Sequence, residues 1–218
     1  MTSVAIALYD GFTALDVVGP YQMLAMAPGV EVTLVAERAG GVLDDQKSLT
    51  LHADAAFDDV PHPDVVVVAG GPGTEQVLSG PVPDWVSRAH RTTTWTTSVC
   101  SGSLVLAAAG VLAGVPAACH YLHLETLELF GVEARPERVV EVPEARIITA
   151  AGVSSGIDMG LRLVELVTDR ITAEAVQLWT EYDPQPPFGS GAPAKASAEV
   201  RELAAAYEQA ARRTAPSP

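Results

Sequence analysis

Cysteine is scarce in this chain, with only Cys100 and Cys119 in 218 residues. Two thiols cannot build a disulfide framework, and they predict reduced cysteines in a reducing compartment, the cytoplasm. Basic residues are also few, 13 Lys and Arg against 27 Asp and Glu for a net charge of -14. They are scattered along the sequence, whereas a phosphate-reading surface needs them clustered, so nucleic acid is excluded as an expected partner. Long apolar runs are missing too. The stretches 64–69 and 103–109 fall short of the roughly 18 residues that a membrane span requires. The first twelve residues carry no basic flank and are interrupted by Asp10, which does not read as a signal peptide. No internal repeat is present.

What the chain does have is core. Hydrophobic residues make up 48% and charged residues 18%, the composition of a compact folded protein. The length favours a single core. We read an α/β domain over 1–183 and a C-terminal appendage over 184–218. β-Branched and apolar runs at 3–9, 30–36, 65–69 and 92–99 predict strands, with two further strands at 138–142 and 145–150 around Pro143. Helix formers at 14–27, 74–79, 83–91, 104–112, 122–130 and 155–181 predict helices between and after them, and 42–60 reads as an excursion of short strands and turns. Alternation of this kind gives a three-layer sandwich, a mainly parallel sheet with helices on both faces. Beyond Tyr182 the sequence DPQPPFGSGAPAKAS predicts an extended arm, and 198–213 an amphipathic helix, packed either on its own domain or on a second subunit.

In an open α/β sheet, ligands sit outside the carboxyl ends of the strands. Three strand ends here carry unusual residues. The first is Cys100 in SVCSGS, where the pattern switches from strand to helix formers. A thiol at a helix start is expected to have a lowered pKa, and the small residues Ser101, Gly102 and Ser103 permit a tight turn that aims the sulfur outward. A lone cysteine on an apolar helix start is also a common packing residue. The second is AGGPG, in which Gly70 and Gly71 let main-chain N–H groups approach a ligand, although such a sequence also makes a plain turn. It lacks the pattern of a phosphate loop. The third is Asp16 in ALDVVGP, a carboxyl group among apolar neighbours whose pKa desolvation would raise; a helix-capping role is the alternative.

Together the segments DGFTALDVVGPYQML, VVVAGGPGT, SVCSGSLVLAAAGVLAG, AAGVSSGIDMGL and EYDPQPPFGSG resemble the PfpI-like superfamily, and within it the isonitrile hydratases. The resemblance implies a flavodoxin-like fold of the class I glutamine amidotransferase type. It also implies Cys100 as nucleophile, Asp16 as general acid and base, and Gly70, Gly71 and Ser101 as suppliers of backbone or hydroxyl contacts. Within that superfamily, protease-like members commonly place histidine after the nucleophile and glutamate at the acid position. Ser101 and Asp16 depart from both and match the hydratase pattern, apart from serine where threonine is usual. The implied substrate is a small-molecule isonitrile, with no metal or organic cofactor, in a homodimer. A cysteine-dependent glyoxalase or deglycase, an oxidation sensor, and a sensor domain related to AraC-type regulators are the competing readings.

Other residues carry weaker signals. Cys119, His120 and His123 suggest metal ligands, but packing or lining of the pocket is the better expectation, with no ligand-like partner spacing elsewhere. Threonine usually stands at the position of Cys119 in the resembling family. Asp158 is expected to cap or pack the long helix, Gly152 to mark a turn or a backbone passing the site, and Trp179 and Tyr182 to pack.

Overall fold

The computed structural model describes residues 1–214, with side chains through Ala211; residues 215–218 of the expected appendage lie outside the described residues. Eleven strands occur in it: β1 Thr2–Ala7, β2 Val30–Ala36, β3 Gly40–Leu43, β4 Thr50–Ala53, β5 Ala55–Ala56, β6 Val65–Val68, β7 Trp95–Val99, β8 Ala117–Ala118, β9 Ala134–Arg135, β10 Val139–Val142 and β11 Ile147–Ala150. The helices are α1 Ala14–Ala25, α2 Pro81–Ala89, α3 Gly102–Ala108, α4 Leu124–Leu129, α5 Ser155–Val167, α6 Arg170–Trp179 and α7 Ala198–Thr214. The main sheet has the order β10-β11-β7-β6-β1-β2-β5 and is parallel except for the β10–β11 pair. β3 and β4 form a separate hairpin, and β8 and β9 a small parallel pair.

Period-two alternation explains the layers. Val4, Ile6 and Leu8 enter the same apolar cluster as Val65 and Val67, together with Val17 and Leu24 of α1 and Met159 and Leu163 of α5. Ala5, Ala7, Val66 and Val68 point the other way, toward Trp85 and Val86 of α2, Leu104 and Leu106 of α3 and Leu127 of α4. Strands buried on both faces have no polar side to show, which is why β6 reads as an unbroken run of valine. The expected three-layer sandwich with a mainly parallel sheet is the architecture found.

Several expected boundaries move. The helix over 155–181 is two helices, because the Asp169 side chain accepts from the Thr172 amide at 2.9 Å and starts α6 afresh after Val167-Thr168. The helix over 104–112 begins earlier and ends at Ala108, where Gly110 at φ +76° turns the chain away. Thr92 and Thr93 do not extend β7; their amides bond back to the Ala89 carbonyl at 2.9 and 3.1 Å. The segment at 74–79 is a 3-10 turn over Pro72–Val77.

Two glycines of α5 bring it against α1. A Cβ on Gly160 would lie 3.0 Å from the Pro20 Cα, and one on Gly156 would lie 3.1 Å from Val99 and 3.2 Å from Pro20. The close approach sets where α1, and hence Asp16, lies relative to the end of β7. Replacing Gly156 by Val overpacks this seam, which costs about 1–3 kcal/mol in well-packed cores. Urea unfolding of Gly156→Val should show a loss in that range, and activity should fall with it because Asp16 is displaced.

Candidate active site

β1, β6 and β7 are neighbours in the sheet, so their carboxyl ends open on one place. β7 ends at Val99, and Cys100 follows at φ +60°, a left-handed conformation unusual for a residue with a side chain. Its amide donates to the carbonyls of Ala150 and Ala151 at 3.1 and 3.2 Å, which holds the strained turn. The turn is as tight as the small residues after Cys100 foretold. Gly102 admits no side chain, since a Cβ there would lie 2.3 Å from the Val68 carbonyl oxygen. Gly70 is equally constrained, its would-be Cβ 2.5 Å from the Ser101 amide and 2.9 Å from the Cys100 Cβ.

Asp16 sits in the first turn of α1 and is fully buried. Its Oδ2 accepts from the Gly70 N–H at 3.0 Å, and among the described residues its Oδ1 meets no hydrogen-bond geometry. Burial pushes the carboxyl up to about 8, opposed in part by the Gly70 amide and the Cys100 thiol. Desolvation therefore outweighs the helix N-terminus, as expected from the apolar surroundings. The thiol goes the other way from expectation. Burial raises Cys100 well above the usual thiol range, with Asp16 and Cys119 adding to the rise and the Ser101 amide opposing it. α3 starts two residues on, and its amides do not offset the loss of water. Cys100 and Asp16 are thus two weak acids in mutual contact, and ionisation of either is opposed by burial and by the other.

The remaining predicted residues come together around them. The Gly71 N–H donates to Ser101 Oγ at 2.9 Å, and Ser101 Oγ lies 2.8 Å from Thr74 Oγ1, itself 2.9 Å from the Tyr9 hydroxyl. Gly71 and Ser101 therefore serve each other. A pocket of about 360 Å³ opens over Cys100, with Thr13, Gly71, His120 and Val153 in its wall. Burial and His123 lower the His120 pKa below the usual imidazole value, and Glu208 opposes them. The backbone of Gly152 passes the site closely, a Cβ there falling 3.2 Å from Cys100 Sγ and 2.1 Å from the His120 ring. Cys119 is buried and pushed up to about 12, and it does not line the pocket. Among the described residues no three His, Cys, Asp or Glu side chains converge as metal ligands would.

Sequence reasoning missed three contributors. Tyr9 and Thr74 read only as a strand end and a turn residue. The face of α7 formed by Ala204, Tyr207, Glu208 and Ala211 lines the Cys100 pocket from within the same chain, with Glu208 Oε1 3.2 Å from His123 Nε2. Only the i, i+3, i+4, i+7 spacing of these residues hinted at a packed face. Asp158 does not cap its helix; it accepts from Arg138 and, at 2.7 Å, from the Tyr182 hydroxyl. Trp179 is 65% exposed and does not pack. A larger cleft of about 510 Å³ between Tyr9, Arg38 and Pro81 contains neither cysteine nor histidine.

Residues 2–166 match the DJ-1/PfpI family. The chain belongs to this family. The DJ-1/PfpI assignment agrees with the flavodoxin-like order of the sheet. An isonitrile hydratase of Pseudomonas putida is 36% identical over 216 residues, 96% of this chain and 89% of the relative. The crystal structure of a THiJ/PfpI family protein from Pseudomonas syringae superposes with a TM-score of 0.89 at 35% identity, covering 97% of this chain and 89% of that one. The HTH-type transcriptional regulator GbdR of Pseudomonas aeruginosa is 27% identical over 168 residues, 74% of this chain but 46% of the regulator. No helix among the described residues is long and apolar enough to cross a membrane.

The raised carboxyl has a stability signature. An acid whose pKa rises from 3.8 to about 8 on folding binds its proton more tightly in the folded state. Stability from that group is complete below pH 4 and is lost as pH climbs through 8, at about 1.4 kcal/mol per unit of difference. Urea unfolding between pH 5 and 9 should show wild type weakening on the alkaline side. Asp16→Asn, which has no proton to lose, should give a flatter profile; an unchanged slope would show that Asp16 ionises in the folded protein as it does in water.

Proposed function

We propose that this protein hydrates an isonitrile, R–N≡C, to the N-substituted formamide, with Cys100 as nucleophile and Asp16 as acid and base. The observation that carries the reading is the buried Asp16, raised to about 8 beside Cys100 with no histidine adjoining the nucleophile in sequence. The 36% identity with an isonitrile hydratase along nearly the whole chain supports the substrate class.

The chemistry follows from the shared protons. The reactive form of the pair has lost one proton to solvent, leaving a Cys100 thiolate beside a protonated Asp16. An isonitrile carbon carries a lone pair that takes a proton and, once protonated, accepts a nucleophile. Asp16 gives its proton to that carbon while Cys100 Sγ bonds to it, leaving the thioimidate Cys–S–CH=N–R and a carboxylate. Water then adds to the same carbon, and the carboxylate relays one of its protons to nitrogen. The tetrahedral adduct collapses as its hydroxyl proton passes to Asp16, the C–S bond breaks, and R–NH–CHO departs. Thiolate and protonated acid are restored. A group ionising in ordinary water near pH 4 would have no proton to give at the first step, which is why burial of Asp16 matters.

Incubation of the full chain with cyclohexyl isocyanide, with formamide followed by NMR, tests the reading. Wild type should form N-cyclohexylformamide, Cys100→Ser should form none, and Asp16→Asn should lose on the order of 10²-fold or more, the usual weight of a positioned acid. A parallel incubation with methylglyoxal should yield no lactate. Lactate without formamide would assign the pair to glyoxalase chemistry instead.

A further inference from the structure

The hydroxyls behind the nucleophile form a chain whose direction is fixed. The Tyr9 hydroxyl lies 2.7 Å from the Ala69 carbonyl, which can only accept, so the one proton of Tyr9 is spent there. Tyr9 must then accept from Thr74, 2.9 Å away, which spends the Thr74 proton. Thr74 in turn accepts from Ser101 at 2.8 Å, a far shorter contact for the Ser101 proton than the Gly71 carbonyl at 3.4 Å. Ser101 Oγ is left as an acceptor, and it takes the Gly71 N–H at 2.9 Å. Tyr9, Thr74 and Ser101 are all buried, so water does not offer these hydroxyls another partner at the protein surface.

The two ends of the chain belong to the two halves of the reacting pair. Ser101 follows Cys100 directly. Gly71 follows Gly70, whose N–H holds the Asp16 carboxyl at 3.0 Å. We propose that Tyr9 and Thr74 are positioning residues: their one-way hydroxyl chain fixes Ser101 as an acceptor and thereby ties the loop that holds Asp16 to the turn that carries Cys100. The proposal rests on Cys100 and Asp16 being the reacting pair. It also narrows what Ser101 does, since a hydroxyl already donating to Thr74 has no proton for a substrate or a thiolate.

Thr74→Val keeps the shape and removes the hydroxyl, so Ser101 loses the partner that orients it and the Gly71 N–H loses a fixed acceptor. The Gly70–Gly71 loop then loosens its hold on Asp16. That hold favours the carboxylate, so weakening it makes the first proton of the pair harder to remove.

The test measures the rate of Cys100 alkylation by iodoacetamide against pH in the full-length chain, with the modified cysteine located by peptide mass mapping. Thr74→Val should move the midpoint to higher pH by about half a unit or more. Thr74→Ser, which restores the hydroxyl, should return it to the wild-type position at the wild-type melting temperature. With isonitrile as substrate, Thr74→Val should lose about tenfold in kcat with KM within about twofold, the pattern of misplaced chemistry with binding intact. An unshifted alkylation profile in Thr74→Val, or a Thr74→Ser profile equal to that of Thr74→Val, overturns the proposal. If Thr74→Val does not fold, Tyr9→Phe decides: a shift in the same direction supports the chain and an unchanged profile overturns it. Alkylation needs no substrate, so it reads the positioning of Cys100 even if no formamide is formed.

Discussion

The site depends on placing two acids in contact away from water. A carboxyl group and a thiol cannot both ionise in such a place, because each anion raises the cost of the other. The ionisable groups that weigh most on Cys100 among the described residues, namely Asp16, Cys119 and Glu208, are themselves acids and add to the repulsion. Much of the surrounding architecture follows from this. Cys100 must turn out of its strand at a positive φ to meet Asp16, the α1–α5 seam must be glycine-lined for α1 to come close, and Gly70 must lack a side chain where it passes the turn.

Such an arrangement differs in kind from a thiol activated by an imidazolium. An ion pair makes the nucleophile permanently available and leaves the proton on a base. In the proposed hydration the proton stays with the pair until it is delivered to the substrate, which suits a reaction whose first event at carbon needs a proton as much as an electron pair. The lowered pKa of His120 fits the same logic, since a cation at that point in the wall would draw the proton off Asp16.

The layers, the parallel sheet and the convergence of three strand ends were legible because each rests on a local signal: β-branched runs, glycine at strand ends, a switch from strand to helix formers. Cys100, Asp16, Gly70, Gly71 and Ser101 were singled out for the same reason, each standing near such a boundary, and the fold brings them together. The direction of the thiol's shift was not legible. A helix start can be read from sequence, whereas the depth of burial that overrides it comes from packing by distant segments such as 150–152. The break between α5 and α6 turned on one capping aspartate inside an otherwise periodic pattern. The part played by Tyr9 and Thr74 depends on hydroxyls 65 residues apart meeting in space, and that of α7 on where a long arm returns. Asp158 and Trp179 were misplaced because a helix pattern says which face is apolar without saying how far the neighbouring layer extends.

Peroxide and related oxidants attack the thiolate and react slowly with a protonated thiol. A cysteine whose ionisation is opposed by a neighbouring acid is accordingly shielded from oxidative loss for as long as it waits. Durability of the resting thiol is thus a second consequence of burying two acids together.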